Sequence, residues 1–558
     1  MRRDLLSDLS AGITGATAGA PQAMAFAIVA GISPVYGLYT AIISTIVASL
    51  IGSSTYMTTG PTNALAVVVA STLAPFAGQD DLLARLITLT FLVGVIQLLM
   101  GVFRLGGLTR FVSAAVMTGF VTGAALLVLL GQLNHLTGIH TQEYAILLQE
   151  TGELLLHLPR LNVPTFLTGT AAMLLIVALH QSRLSNFATL IAIIITSLGV
   201  ALLNWDEHGV LLVSDLSHVP RQLPDIRLPD AHLIPELAAA ALAIAVLGLV
   251  QTAALSQTLR EPNNQLPNAS REFLGQGAAN LLGSLFQTMP AGGSLSRTAV
   301  NLKAGAHTRW ANVWSGLFVA LLMILGAPLV ERITLAALAG HLIVAAISLI
   351  SPARIRFIWH ASWRGRWAML ATLLATLILP LQYAVYVGVL LSLTLHLQQS
   401  SHLRITQLIP VGDHLFREVK TVPHLLPSAE PIILSIQGSL FFAAMREVEA
   451  RLPRPTGSRY PVVILRLRGD VGLAGTGIST LVNYAERLRE HQGKLILCGV
   501  DDQVLQTLTR TGAINRLGRE NIFPATDVLL LSTSDALHYA RTWLDELPET
   551  HKNVINLD

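Results

Sequence analysis

Apolar stretches long enough to cross a bilayer recur along most of this chain, in two runs separated by polar sequence at about 206–230. The first run has segments at about 9–31, 34–52, 57–76, 82–103, 110–133, 163–181 and 186–204. The second has segments at about 234–256, 270–289, 292–306, 311–330, 333–351, 367–381 and 383–398. The pattern therefore predicts 14 membrane spans, seven on each side of the polar stretch. Beyond about Ser401 no stretch is long enough to span. Strand-like runs at 431–437, 462–467 and 494–498 alternate there with amphipathic helical patterns at about 441–452, 477–491 and 501–511, the signature of a compact α/β domain.

The distribution of charge tests that count, because short cytoplasmic loops carry an excess of Arg and Lys. With the N-terminus inside, loops bearing Arg104, Arg110, Arg183, Arg260, Arg271, Lys303, Arg309, Arg354, Arg356, Arg364 and Arg366 all fall on the cytoplasmic side. The opposite loops carry Asp80, Asp81, Glu143, Glu150, Glu153, Asp206, Glu207, Asp215 and Asp225 with few basic residues. Losing one span would invert every later loop, so an even count is required. The chain divides into a membrane domain, 1–400, and a cytosolic domain, 401–558, with both termini inside.

Two segments are poor helices, and they hold the same place in each set of seven. The third reads Tyr56-Met-Thr-Thr-Gly-Pro-Thr-Asn-Ala-Leu65 and the tenth Met289-Pro-Ala-Gly-Gly-Ser-Leu-Ser-Arg-Thr298. In each, Gly and Pro precede a short helix-forming run, which predicts an extended entry feeding a half-helix. Matching irregularities predict a repeat, about 1–205 and 232–400. An odd number of spans per repeat forces the two copies into opposite orientations.

Composition agrees: hydrophobic residues are 52% and charged residues 12% of the 558, about half the charged fraction of a soluble domain. The net charge is only +3, with no basic stripe of the kind that binds nucleic acid. The single cysteine, Cys498, excludes intrachain disulfides and multi-cysteine metal sites, and its apolar surroundings predict a buried structural thiol. His135, His140 and His157 lack partners at metal-ligand spacing and read as solvated loop residues. The Gly-rich strings at 290–297 and 470–477 match neither a nucleotide P-loop nor a dinucleotide fingerprint, so no cofactor is expected and enzymatic function has no support.

The broken segments carry the chemistry. A half-helix starting near the membrane midplane points unsatisfied N–H groups and a partial positive charge into a region without competing water. Two such ends facing each other make an anion site. Thr62 or Asn63 is placed to cap the first, Ser294 or Ser296 the second, with Leu295 in the same turn. Arg297 follows at once, and an Arg at this depth costs about 2.5–3.5 kcal/mol on insertion scales, which points to a fixed charge for a small inorganic or organic anion. Gln22, next to the backbone-freeing Pro21, is placed to line the same cavity and Phe26 to wall it one turn further on, although in a Gly/Ala-rich helix both residue types more often serve packing.

Pro21-Gln-Ala-Met-Ala-Phe-Ala27 followed by Gly31-Ile-Ser-Pro-Val-Tyr-Gly-Leu-Tyr-Thr40 resembles the opening signature of the sulfate permease (SulP) family of anion transporters. Gly60-Pro-Thr-Asn-Ala and Ser294-Leu-Ser-Arg-Thr-Ala-Val-Asn301 resemble that family's third and tenth spans. The resemblance implies a polytopic α-helical fold of 14 transmembrane segments in a 7+7 inverted repeat, shared with uracil permeases and divided into core and gate domains. It implies substrate between spans three and ten, with Gln22, Phe26, Thr62, Ser296 and Arg297 at positions the family uses, residence in the cell (inner) membrane, and assembly as a homodimer. The tail is similar to a STAS domain. Where that family has Asp-x-Ser/Thr-Gly at a helix start, this chain has Ala474-Gly-Thr-Gly477, which keeps a hydroxyl at Thr476 as the regulatory candidate but loses the acid. The family's eighth span commonly carries Gly-x-x-Glu/Asp for the coupling cation; here Gly248-Leu-Val-Gln251 has an amide instead. Sodium coupling is therefore not expected, and the proton is the expected coupling ion. The leading expectation is a secondary active transporter of sulfate, bicarbonate or a small dicarboxylate such as fumarate, a symporter working by alternating access. An exchanger or channel on the same scaffold is its neighbour, and a membrane-anchored STAS signalling protein the alternative of another class.

Overall fold

The structure is a computed structural model that describes residues 2–106, 113–139, 147–182, 184–261, 264–400, 404–412, 415–437, 442–467 and 475–547. It separates into two compact units, Met1–Leu393 and Thr394–Asp558. The dividing point falls inside a helix that runs on to Ser400.

In the first unit a helix occupies each predicted segment: α1 Arg2–Val29, α2 Pro34–Ile51, α3 Asn63–Leu73, α4 Leu82–Val102, α5 Ala114–Gly131, α6 Val163–His180, α7 Ala188–Leu203, α8 Ile234–Thr258, α9 Ala269–Leu285, α10 Leu295–Lys303, α11 Trp310–Glu331, α12 Leu335–Leu349, α13 Trp363–Ile378 and α14 Leu381–Ser400. Several boundaries differ from expectation: the ninth helix ends at Leu285, before 289, and the thirteenth begins at Trp363, before 367. The first helix begins at Arg2, well before residue 9, and the fifth begins at Ala114, residues 110–112 lying outside those described. Among the described residues seven helical stretches are long and apolar enough to cross a membrane by length and composition, and three shorter ones are apolar. Those that fall short include α9, which carries Glu272, Gln276 and Asn280. The physical reason is that α9 packs against α2, α4 and α8 and faces protein, so its polar side chains meet partners rather than lipid.

Packing sorts the helices into two sets. The first set is knitted by contacts of α4 with α9, α1 with α11, α2 with α9 and α11, and α8 with α4. The second is knitted by α5 with α13 and α12, and α6 with α12 and α7. These sets are the core and gate divisions expected from the resemblance. Adding seven to each label maps α1–α11 onto α8–α4, α4–α9 onto α11–α2, and α5–α13 onto α12–α6. The repeat is thus visible in the contacts themselves. The α4–α9 pair is a close seam. A Cβ on Gly94 would lie 2.4 Å from Leu281 N, and one on Gly277 2.4 Å from Leu98 N, so small residues on both sides let the backbones approach.

In the second unit a six-stranded sheet has the order β4-β3-β5-β6-β7-β8, formed by β3 Arg404–Pro410, β4 Phe416–Val419, β5 Pro431–Gln437, β6 Val462–Arg466, β7 Lys494–Val500 and β8 Ile522–Pro524. Strands β5 to β8 are parallel, and β3 is antiparallel to both neighbours. Alternate residues serve two cores: Ile432, Leu434 and Ile436 pack with Met445, Leu481 and Tyr484, whereas Ile433, Ile464 and Ile496 pack with Ala536, Leu537 and Ala540. A sheet covered on both faces explains why its strands read as unbroken apolar runs. Cys498 is fully buried in the second core, as its sequence context predicts.

Candidate functional site

The two broken segments meet. Thr59–Gly60 (β1) pairs antiparallel with Gly292–Gly293 (β2), with Thr59 opposite Gly293 and Gly60 opposite Gly292, and Ser294 N donates to Thr58 O at 2.9 Å. Each two-residue strand delivers the chain into the N-terminus of a half-helix. Thr62 is the cap of α3, its Oγ1 accepting from Leu65 N at 3.4 Å, and Ser294 is the cap of α10, its Oγ accepting from Arg297 N at 3.4 Å. Asn63 and Ser296, the other two candidates, sit inside the helices as first-turn residues. The first intrahelical bonds are Ala66 N to Thr62 O and Thr298 N to Ser294 O. The N–H groups of Asn63, Ala64, Leu295 and Ser296 precede those bonds and are therefore open to other acceptors.

Arg297 is 6% exposed and lies among α1, β1 and α10. Its Nη2 donates to Pro61 O at 3.5 Å, and its Nε is buried without a hydrogen-bond partner in the protein. Gly60 makes room for it: a Cβ there would stand 1.7 Å from Nη2. No described carboxylate pairs with Arg297, so an internal ion pair does not account for its charge. Gln22 Nε2 donates to Ser296 Oγ at 3.2 Å, and Ser296 Oγ is 3.3 Å from Ser294 Oγ. On the facing side Thr62 Oγ1 donates to Gln251 Oε1 at 3.3 Å. Asn63 is buried, and its Oδ1 lacks a partner. Phe26 is buried in the main apolar cluster, and Leu295 is 64% exposed, outside this chain of polar contacts.

The site is therefore a pair of capped helix N-termini, one buried guanidinium, and a rim of amides and hydroxyls. The one fixed charge in it and both helix-terminal dipoles are positive, which favours a negatively charged ligand.

The sulfate permease family matches residues 5–372 and the STAS domain residues 418–528. The chain belongs to the sulfate permease family. It is 27% identical to YvdB of Bacillus subtilis (strain 168) over 525 residues, covering 93% of this chain and 96% of that one. It is 26% identical to sulfate transporter 4.1, chloroplastic, of Arabidopsis thaliana over 540 residues, covering 92% and 78%. Its fold resembles that of the murine Slc26a9 anion transporter in the inward-facing state, with TM-score 0.86, 18% identity and coverage of 97% and 92%. It also resembles the transmembrane domain of the cyanobacterial bicarbonate transporter BicA, with TM-score 0.60, 23% identity and coverage of 69% and 98%.

This sulfate permease family member is thus a multi-pass membrane transporter of anions, not an enzyme, and carries a C-terminal STAS domain. Several supporting residues were not evident from its sequence. Gln276 and Asn280 of α9 both donate to Ala291 O, at 3.1 and 3.0 Å, and Asn280 Oδ1 accepts from Ala291 N at 2.8 Å. Asn280 also donates to Gln97 Oε1 at 2.7 Å, and Thr252 Oγ1 donates to Gln276 while accepting from Gly293 N at 3.2 Å. Asn312 holds the other entry, donating to Met57 O at 3.0 Å and accepting from Thr58 Oγ1 at 2.6 Å. These amides satisfy the non-helical backbone that the broken spans leave at membrane depth. A second anchor is Glu272, whose Oε1 accepts from Ser53 N, Ser54 N and Ser53 Oγ at 2.6–2.7 Å and pins the loop before β1. In the STAS domain Thr476 is exposed in the first turn of the helix Gly475–Glu490, while Ala474 lies outside the described residues, as does His140 of the membrane domain.

Proposed function

We propose that the anion binds between the N-termini of α3 and α10, held by Arg297, the first-turn N–H groups of both half-helices, and the rim formed by Gln22, Thr62, Asn63, Ser294, Ser296 and Gln251. The observation that carries this reading is the guanidinium of Arg297, buried beside Gly60 with Nε unpartnered and, among the described residues, no carboxylate to neutralise it. Transport is by alternating access, the core helices carrying the half-helix pair against the gate helices. Small oxyanions, sulfate or bicarbonate, and small dicarboxylates such as fumarate match two convergent positive ends and one bidentate donor.

Coupling is to protons and not to sodium. A dehydrated hard cation needs several oxygen ligands. Gln251 offers one neutral oxygen, and Thr62 already donates to it. The chain works in the inner membrane, as a dimer, with its N-terminus and STAS domain on the cytoplasmic side; the Arg-rich loops support that orientation.

Uptake of labelled sulfate, bicarbonate, chloride and fumarate into proteoliposomes tests the reading. The expected result is accumulation of at least one anion under an inward proton gradient, unchanged when choline replaces sodium. Gln251→Glu should add a pH or cation dependence that the wild type lacks, because it places a titratable acid beside the site. Strict sodium dependence of the wild type would defeat the coupling assignment. Uptake only against a preloaded anion would make the protein an exchanger.

A further inference from the structure

One helix between α12 and α13 is not needed by the anion site. Residues Pro352–Ala361 (Pro-Ala-Arg-Ile-Arg-Phe-Ile-Trp-His-Ala) form a short helix that stops at Ser362, an extended residue whose side chain caps α13 by accepting from Gly365 N at 3.0 Å. The chain thus turns sharply at one residue. The short helix packs on α13 and α5. A Cβ at Gly365 would lie 3.6 Å from Ile358 and 3.8 Å from Ala115, so Ile358 seats against the first turns of both α5 and α13. Two spans that begin at the same level put this helix at the surface of the apolar slab rather than within it.

What the elbow turns outward is aromatic and cationic together. Phe357 is 73% exposed and Trp363 67%, and Trp359 and Trp367 are exposed as well. Trp363 and Trp367 stack edge to face at 5.5 Å. Arg354, Arg356 and Arg364 are exposed. Arg366 is fixed, its Nε and Nη2 donating to Trp359 O at 3.1 and 2.8 Å with its guanidinium 4.7 Å from the Trp359 ring. From Arg332 through Gly412 the sequence has no Asp or Glu, so Arg354 and Arg356 have no acidic neighbour along the chain. Exposed indole and phenyl rings settle at the headgroup level of a bilayer, and arginines among them meet lipid phosphates.

We propose that the elbow formed by Pro352–Ala361 and the first turn of α13 is a binding site for an anionic phospholipid, with Arg356 on the headgroup phosphate, Arg354 on the other side of the same helix adding positive charge to the site, and Phe357, Trp359 and Trp363 against the glycerol and upper acyl region. Charge complementarity selects an anionic lipid over a zwitterionic one, and the rings select a lipid over free phosphate. This assignment is independent of which anion the protein carries.

The test uses the full chain in detergent, titrated with dioleoyl phosphatidylglycerol or dioleoyl phosphatidylcholine, with bound lipid counted by native mass spectrometry. Phosphatidylglycerol should bind in preference to phosphatidylcholine, and inorganic phosphate at matched concentration should not displace it. Arg354→Gln with Arg356→Gln should weaken phosphatidylglycerol binding about 30-fold, roughly fivefold for each charge removed near an anionic surface. The paired lysine replacements, which keep the charge, should retain most of the affinity and show that loss in the Gln variant is not misfolding. Unchanged phosphatidylglycerol affinity in the Gln variant would overturn the proposal, as would equal binding of the two lipids. Displacement by inorganic phosphate would reassign the arginines to a soluble anion, and a change of oligomeric state with lipid binding intact would reassign the surface to a second copy of the chain.

Discussion

Replacing Gly60 by alanine separates the position of the Arg297 charge from its presence. The new methyl carbon would fall 1.7 Å from Nη2, 2.6 Å from Cζ and 2.7 Å from Nη1 of Arg297, all far inside van der Waals contact. What it strikes is the far end of a flexible side chain, so the guanidinium moves and the backbone of β1 stays. The stability cost then lies at the low end of overpacking, about 1 kcal/mol. The ligand loses more: a hydrogen bond to a charged group contributes about 1.5–3 kcal/mol, which corresponds to an apparent affinity about 10- to 150-fold weaker. Gly19→Ala is the matched control, because its methyl would sit 3.4 Å from Arg297 Cδ, at ordinary contact distance. The assay is the concentration dependence of anion uptake in proteoliposomes, read beside the thermal midpoint of each variant in detergent. Gly60→Ala should raise KM strongly with a small drop in Tm, and Gly19→Ala should change neither much. Wild-type KM in Gly60→Ala, or equal damage from both alanines, would refute the placement of the guanidinium at the anion.

Three further outcomes follow from the geometry. Thr62→Ala and Ser294→Ala should each lower stability by about 1 kcal/mol through loss of a helix cap, visible as a reduced Tm, whereas Asn63→Ala removes no cap and should leave Tm nearly unchanged. Burial pushes the Cys498 thiol up to about 11, above the 9.0 of an unperturbed thiol. The folded thiol therefore keeps its proton where the unfolded one has lost it, so the associated stability is full below about pH 9 and is lost as pH rises through about 11; Cys498 should resist a thiol-reactive dye at pH 8 until the STAS domain is unfolded with denaturant. Glu207→Cys in a Cys498→Ala background should react with an impermeant maleimide added from outside, and labelling only after permeabilisation would reverse the proposed orientation.

The fold was legible where a single chemical need shapes a long stretch of sequence. Lipid-facing helices must be apolar, and the Gly-Pro entries at Gly60-Pro61 and Pro290 to Gly293 are visible because they violate helix propensity at matching places. Arg297 stood out for the same reason, as a cost that needs a return. The antiparallel pairing of Thr59–Gly60 with Gly292–Gly293 was not legible, since strands of two residues carry no periodicity. Nor were Gln97, Thr252, Gln276 and Asn280: a lone amide in an apolar helix gives no sign of whether it packs or holds a distant backbone. The choice of Thr62 over Asn63 as cap depends on where the helix geometry starts, and two adjacent capping residues leave that open. In the STAS domain the buried strands β5, β6 and β7 were plain as apolar runs, while β4 at the sheet edge, β3 beside it, both partly exposed, and the last described helix, Leu531–Asp545, were not.

In the proposed function Arg297 is held in the membrane domain for a ligand and not for the fold. The most direct test of that role is anion uptake by Arg297→Ala and Arg297→Lys in proteoliposomes, with Tm measured on the same preparations. The alanine variant should insert, melt close to wild type and no longer transport, while the lysine variant, with a point charge in place of the fork, should keep a reduced rate. An alanine variant that transports at the wild-type rate, or one that loses its fold together with its activity, would contradict that role.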